Sequence, residues 1–516
     1  MGSFILAHDL GTTGNKATLF DREGRLVARA FSGYDTVHPE PTWAEQDPRD
    51  WWRAVIEATR ALLAESRIAA GDIAVIAFSG QMMGCLPVDA AGRPLRRCII
   101  WADQRAVAQA ARLAERVGEE RVYRITGHRV SPTYSAPKMM WVRDNEPDVF
   151  AQTYKFLHVK DYIAYRMTGA FVTDCSDASG MSIYDLERGE WSDEILQALE
   201  LDAGMLPEVH NSTDVVGELT KLAAEELGLR AGIPVVIGGG DGASAAVGAG
   251  AVKEGPAYNY IGSSSWVSFG AARPIYDPGR RIFNWAHMVP GMFAPCGTMQ
   301  AAGGSYQWLR RQICWSETVE ASETGDDAYE VMNRRAAESV PGAHGLLFLP
   351  YLQGERSPHW NPRARGAYVG LQVTHTRADL IRATLEGISM NLRTILQSFL
   401  DAGACINEVI LIGGGAKGAL WRQILADVFG RPTLQPRLLE EATSLGAAIA
   451  GGVGVGLFRD FSVAERCIEI VDRHTPDPAA QAVYDRLYPV FLEAYRALVP
   501  VFDQLHETTC PQPSPA

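Results

Sequence analysis

The sequence predicts an α/β fold in which one domain pattern occurs twice around a cleft. Three observations predict it. The chain opens with short apolar runs separated by Gly-bearing turns, which is a strand meander rather than a βαβ unit. Hairpin strands begin again around 257–270, after a long stretch in which strand and helix patterns alternate. No linker stands out by composition, so the halves are expected to pack closely. The boundary is placed between Gly248 and Gly255, giving units 1–250 and 251–505 and a loose tail at 506–516.

Each element has a local reason. Phe4-Ile5-Leu6-Ala7 reads as a buried strand, Ala17–Phe20 continues it after a turn, and Arg25–Ala28 follows Asp21-Arg22-Glu23-Gly24. A helix is predicted from Pro48 to about Ser66. Asp47 caps it, Pro48 takes its first position, and Trp52, Val55, Ile56, Thr59 and Leu63 share a face. Ile73–Phe78 is a buried strand running into Ser79-Gly80-Gln81. In the second half, helices are predicted at 328–339 and 379–400. The latter carries the stripe Leu380, Thr384, Ile388, Leu392, Ile395 and Phe399. Then come the strand Glu408–Ile412, a glycine turn, the helix Ala419–Phe429 stopped by Gly430 and Pro432, and a helix at 478–505.

Composition narrows the function. The 516 residues are 47% hydrophobic and 21% charged, an ordinary globular balance. A net charge of −13 argues against a protein that coats nucleic acid. It does not argue against ATP, which backbone amides and a few local cations can hold. The eight cysteines have no CxxC spacing and suggest neither a disulfide frame nor a zinc site. No apolar run approaches the roughly 20 residues of a membrane span, and the N-terminus lacks a signal-peptide pattern. A soluble cytoplasmic protein is expected.

The chemistry is expected at glycine turns. Asp241 sits in Gly238-Gly239-Gly240-Asp241-Gly242-Ala243-Ser244, an acid on a flexible, small-residue segment. Asp9 precedes Gly11-Thr12-Thr13-Gly14-Asn15-Lys16, a turn whose amides, hydroxyls and lysine suit an anion. Asp9 would repel phosphate directly, but fits if Mg²⁺ lies between them. The competing reading is a plain hairpin with Asp9 as its cap. A second strand-turn-strand carries Gly262, Ser263 and Ser264. A third cluster, Gly413-Gly414-Gly415-Ala416-Lys417, follows a strand and opens a helix. Its Gly413-x-Gly415-x-x-Gly418 form matches a dinucleotide fingerprint, but no acid closes the following strand, so packing against adenosine is favoured over nicotinamide. Gly303-Gly304 suits close approach to a ligand or simply a helix start. The P-loop pattern is absent.

In this order and spacing, these segments resemble the FGGY carbohydrate kinases. Lys138–Asn145 is similar to most of the family's first signature, with Thr133 where that signature prefers an aromatic, Met, Gly or Ser. Gly366–Leu371 with Asp379–Glu386 is similar to the second. Within the family, Ser79–Met82, Lys160-Asp161-Tyr162 and Leu349–His359 are most similar to the xylulokinases. The resemblance implies two ribonuclease-H-like domains of the actin/hexokinase type flanking a cleft. It implies phosphorylation of a sugar or polyol hydroxyl by Mg²⁺-ATP, with D-xylulose to D-xylulose 5-phosphate leading and another ketopentose or small polyol as the alternative.

The same resemblance implies roles. Asp241 is the general base and Asp9 the acid near the metal. Gly11–Lys16 and Gly262–Ser264 are the phosphate turns, and Gly413–Lys417 is the adenosine segment. Gln81, Met82, Met83, Trp101, Asp103 and Gly242 fall where relatives touch substrate. Two departures put D-xylulose in question: Met83 stands where xylulokinases carry His, and Gly242 where they often carry Asn. Ser263 keeps the hydroxyl of the usual Thr, while Ser265 replaces a Gly. Each residue has a plainer role in competition: Trp101, Met82 and Met83 as packing, Asp103 as partner of Arg105, Lys16 and Lys417 as solvated cations, His359 as a loop histidine. A homodimer suits the family. The rival functions are an ATP-binding switch of the actin or heat-shock type and a nicotinamide-dependent sugar dehydrogenase.

Overall fold

The computed structural model describes residues 3–509. Two mixed sheets form its frame. In the first, the strands run in the order Val215–Glu218, Pro234–Gly240, Ile73–Gly80, Phe4–Leu10, Gly14–Phe20, Leu26–Gly33. The meander is antiparallel, whereas Phe4–Leu10, Ile73–Gly80 and Pro234–Gly240 run parallel. The second sheet repeats the pattern with Ala257–Ile261 antiparallel to Ser265–Phe269 and parallel to Val409–Ile412, which in turn parallels Thr433–Pro436. The expected duplication is therefore visible in the strand directions. The expected strands at 4–7, 17–20 and 73–78 extend beyond their apolar runs because flanking residues still pair, whereas Arg25 falls outside the strand Leu26–Gly33 and Glu408 outside Val409–Ile412.

The helix Pro48–Ser66 covers one face of the first sheet. Asp47 Oδ1 accepts from Arg49 N, and Arg67 ends it in the left-handed region. Its buried face includes Trp51, Ala58 and Leu62, rotated one residue from the expected stripe at Ile56 and Leu63. Trp51 decides this, because its indole donates to Gln46 Oε1 at 3.0 Å. The helix predicted at 379–400 spans Arg377–Asp401 and is buried nearly all round, so its stripe understates its core role. The closing helix Pro478–Thr509 runs past the expected end at 505. Residues 510–516 of the expected tail lie outside the described residues.

Two helices exchange places between the halves. Asp241–Gly248, directly after the first sheet's strand Pro234–Gly240, packs with Tyr258, Ile410 and Ile412 of the second sheet. Ala442–Gly454, from the second half, packs on Ile5, Ala7, Val75 and Ala77 of the first. The two helices cross backbone against backbone. A Cβ at Gly446 would lie 1.9 Å from Ser244 O, and one at Gly248 would lie 1.8 Å from Ala442 O. Only glycine permits this approach.

Candidate active site

Parallel pairing brings the candidate residues together. The register Leu10↔Gly80↔Gly240 puts the carboxyl ends of three adjacent strands on one edge. Asp9, Gln81–Met83 and Asp241 all emerge there. In the second sheet, Tyr260 pairs with Ile412, so the Gly262 turn and the Gly413 turn share an edge in the same way. Ligands in open α/β sheets bind outside such carboxyl ends.

Asp241 begins its helix, half-buried, and its Oδ1 accepts from Gly242 N at 2.7 Å. Burial, reinforced by the Asp9 carboxylate, pushes its carboxyl up to about 7, poised for proton exchange near neutrality. Asp9 Oδ2 accepts from Thr443 Oγ1 at 2.6 Å. Lys16 pairs across the hairpin with Asp9 and donates to Glu440 O at 2.5 Å. Lys417 donates to Glu440 Oε1 at 2.9 Å. Thus cations from both halves converge on one residue, and neither lysine is merely solvated.

The first turn is closed by Gly11 N to Gly14 O at 3.0 Å, with Thr12 and Thr13 at its tip. Gly14, Asn15 and Lys16 belong to the following strand. Alternation puts the Asn15 side chain on the opposite face from Lys16. It is fully buried there against His8 Nδ1 and Ala54 O, so it does not join the cleft. In the second turn, Gly262 and Ser263 carbonyls accept from Gly303 N and Gly304 N at 3.0 and 2.9 Å. Those two glycines brace the turn, since a Cβ at Gly303 would sit 2.4 Å from Gly262 O. Gly413 takes a φ of 87°, and a Cβ there would lie 2.7 Å from Ile261 O. Gly414–Lys417 form one short helical turn in which Ala416 is buried and Gly414 exposed. Hard oxygen donors at Asp9, amide-rich turns and glycine cradles fit a magnesium nucleotide.

The sugar-side residues divide. Met82 and Met83 form a wall with Tyr134, Phe283, Trp285 and Cys296, edged by Trp101 and Trp360. Trp101 Nε1 donates to Thr12 Oγ1 at 2.9 Å, which ties this wall to the first turn. Met83 adopts a φ of 61°. The buried ammonium of Lys138 explains how that is held: it donates to the carbonyls of Met83, Ile100 and Thr133 at 2.9, 2.8 and 2.6 Å. Gly242 faces open space, with nothing within 4 Å of a Cβ placed there. Gln81 instead donates to Gln46 Oε1 at 2.8 Å, and Gln46 braces Thr12 O at 2.7 Å. Asp103 is fully buried in an ion pair with Arg105 at 2.7 Å and accepts from Ala44 N at 2.6 Å. Its carboxylate is therefore occupied, as the plainer reading had it. His359 donates to or accepts from Tyr351 Oη at 3.1 Å and stacks on Tyr495 at 3.7 Å, away from any ligand set.

Sequence reasoning gave no role to Thr443, Glu440, Tyr260 or the wall residues Phe283 and Trp285, and read Lys138 only as part of a family signature. Behind the Asp241 strand, Lys160 and Asp161 of the quoted Lys160-Asp161-Tyr162 join a buried ionic cluster that the sequence did not reveal. Lys160 Nζ lies 2.9, 3.2 and 3.5 Å from Asp161, Asp174 and Asp177, all fully buried. Asp174 Oδ2 accepts from Ser176 Oγ at 2.6 Å, and Ser176 Oγ accepts from Gly240 N at 3.0 Å.

Comparison with known proteins settles the class. Residues 4–248 match the N-terminal domain, and residues 257–455 the C-terminal domain, of the FGGY family of carbohydrate kinases. The chain belongs to this family. As a member it is a phosphotransferase acting on a sugar, and its two domains are of the actin/hexokinase-like kind. It is 33% identical over 496 residues to a xylulose kinase of Bacillus subtilis, covering 95% of this chain and 96% of that protein. It is 32% identical to a gluconokinase of Bacillus licheniformis, covering 98% of each. The ligand-bound xylulose kinase of Lactobacillus acidophilus superposes with a TM-score of 0.90 at 27% identity, covering 97% of this chain and 99% of that one. Family membership removes the switch and dehydrogenase readings. Among the described residues, no helix is long and apolar enough to cross a membrane.

Proposed function

We propose that this sugar kinase transfers the terminal phosphate of ATP to a hydroxyl of a ketopentose, D-xylulose first among candidates, with Asp241 as general base. The observation that carries the reading is the half-buried Asp241 carboxyl, facing Asp9 at the shared edge of three parallel strands. Asp241 takes the hydroxyl proton as the new phosphorus–oxygen bond forms. Asp9, held by Thr443, would carry Mg²⁺, which when bound offsets charge on the transferring group. Amides of the Gly11–Gly14 and Gly262–Ser264 turns, with Lys16 and Lys417, orient the phosphates, and the Gly413 turn packs on adenosine. The Met82–Met83–Trp101 wall orients the sugar and excludes water.

A second acceptor class has its own support. Arg129 and Arg356 stand half-exposed beside the same wall, Arg356 over Phe283 and Arg129 over Trp360. Among the described residues neither forms an ion pair with a carboxylate. An acceptor bearing its own carboxylate, such as gluconate, would meet them. An ADP-release assay over ketopentoses, polyols and aldonates separates the two classes. Turnover with none of them, at ATP concentrations that saturate binding, would sink the reading.

A further inference from the structure

Tyr258 and Tyr260 lie two residues apart on the strand Ala257–Ile261, so their side chains share one face, toward the helix that Asp241 begins. Tyr258 uses its hydroxyl fully. It donates to Gly242 O at 2.7 Å and accepts from Trp266 Nε1 at 3.0 Å. Tyr260 is set nearer the strand end. Its ring stacks on Trp266, with centroids 4.0 Å apart and planes 14° apart. Its hydroxyl lies over the second phosphate turn, since a Cβ built on Gly262 would be 2.9 Å from Tyr260 Oη and 2.7 Å from Cε1. Unlike Tyr258, this half-buried hydroxyl has no hydrogen-bond partner among the described residues. The strand, the stack and the turn therefore fix a donor whose partner the protein does not supply.

We propose that Tyr260 is a further catalytic residue, its hydroxyl donating a hydrogen bond to the terminal phosphate of the nucleotide while that group is transferred. The O–H bond stays intact and no proton leaves the phenol. The role is charge stabilisation by a fixed donor, which differs from proton transfer at Asp241. Burial, followed by the nearby carboxylates of Asp9, Asp241 and Glu440, pushes the phenol up to about 12, so it remains a donor at neutral pH. The charged groups that act on this hydroxyl are thus the candidate base, the candidate metal ligand and the residue that both lysines reach.

The inference rests on the reading of this cleft as the phosphate-transfer site. Its test is the nucleotide selectivity of Tyr260→Phe, which keeps the ring and its stack. Affinity is measured by calorimetry with Mg²⁺ and either ATP or ADP, without sugar. The expected result is that ATP binds about tenfold more weakly while ADP binding stays within about twofold, because only ATP carries the terminal phosphate. With an accepted sugar, kcat falls by about tenfold or more at saturating ATP. Tyr258→Phe is the control for loss of a hydroxyl on the same face. It lowers Tm but leaves the ATP-to-ADP affinity ratio unchanged. The inference is overturned if Tyr260→Phe weakens ATP and ADP equally, or neither. Failure of the base assignment shows separately, as turnover retained by Asp241→Asn.

Discussion

Thr443 donates its hydroxyl to Asp9 Oδ2 at 2.6 Å, although the residues stand 434 positions apart. The bond joins the first strand of one half to the first turn of a helix from the other. It engages Oδ2 alone, so Oδ1 is the oxygen that would meet the proposed cation. Thr443→Val keeps the shape and deletes the donor. The expected effect is a fall of about tenfold in kcat/KM for Mg²⁺-ATP, with a stability loss near 1 kcal/mol. Kinetics at varied Mg²⁺, together with thermal melts, check it.

Asp241→Asn retains the side-chain shape and cannot accept the proton. Turnover should fall by about 10²–10⁴-fold, with ATP affinity retained. Calorimetry for ATP beside an ADP-release assay tests both halves of that statement.

The Asp241 carboxyl also sets a pH dependence. A base that titrates at about 7 is protonated below that pH, so kcat/KM should fall about tenfold per unit on the acid side and level off above. The stability sign runs opposite to that of a salt-bridged acid. Between the ordinary 3.8 and about 7 the folded state holds a proton that the unfolded state has released, so stability declines as pH rises through that window. Asp241→Asn should therefore melt higher than the parent at pH 8 and equally at pH 3.5. The full shift corresponds to about 4 kcal/mol. Water reaching a half-buried carboxylate reduces the expected gain to about 1–2 kcal/mol.

Gly242 faces open space, so Gly242→Asn should fold with stability within about 0.5 kcal/mol of the parent. It introduces an amide beside the proposed base, where the sequence resemblance expects Asn. A rise in kcat/KM for D-xylulose relative to D-gluconate is the expected outcome. An unchanged preference across the sugar panel would show that this position does not set specificity.

Gly446→Ala should be severely destabilising, by more than about 3 kcal/mol, because its methyl would lie 1.9 Å from Ser244 O and neither backbone can retreat. Denaturant titration against Gly71→Ala, whose Cβ would meet nothing, isolates the effect.

The turns and both acids were legible because their signals are local. A strand followed by Asp9 and Gly11, or by Gly240 and Asp241, states its own geometry. The strand carrying Asn15 shows the limit of reading a turn as a unit: alternation sends that side chain to the sheet's other face, and the pattern Asp9, Lys16 against His8, Asn15 was available in the sequence. Thr443, Tyr260 and Glu440 carried no such local sign. They reach the cleft only because two helices exchange sheets and two strands end at the same edge, which are relations between distant segments. Asp103 shows the reverse case. Arg105, two residues on, announced the ion pair that occupies it.

The crossing at Gly248 and Gly446 leaves no side-chain layer between the helices to slide or reshuffle. Relative motion of the lobes about this contact is then pivoting, not translation. Asp241 opens one of the two crossing helices and Thr443 lies in the first turn of the other, so both sit close to the fulcrum. In such a pivot the outer rims of the cleft would swing through longer arcs, while the proposed proton acceptor and the threonine that holds the proposed metal ligand would keep a nearly constant separation.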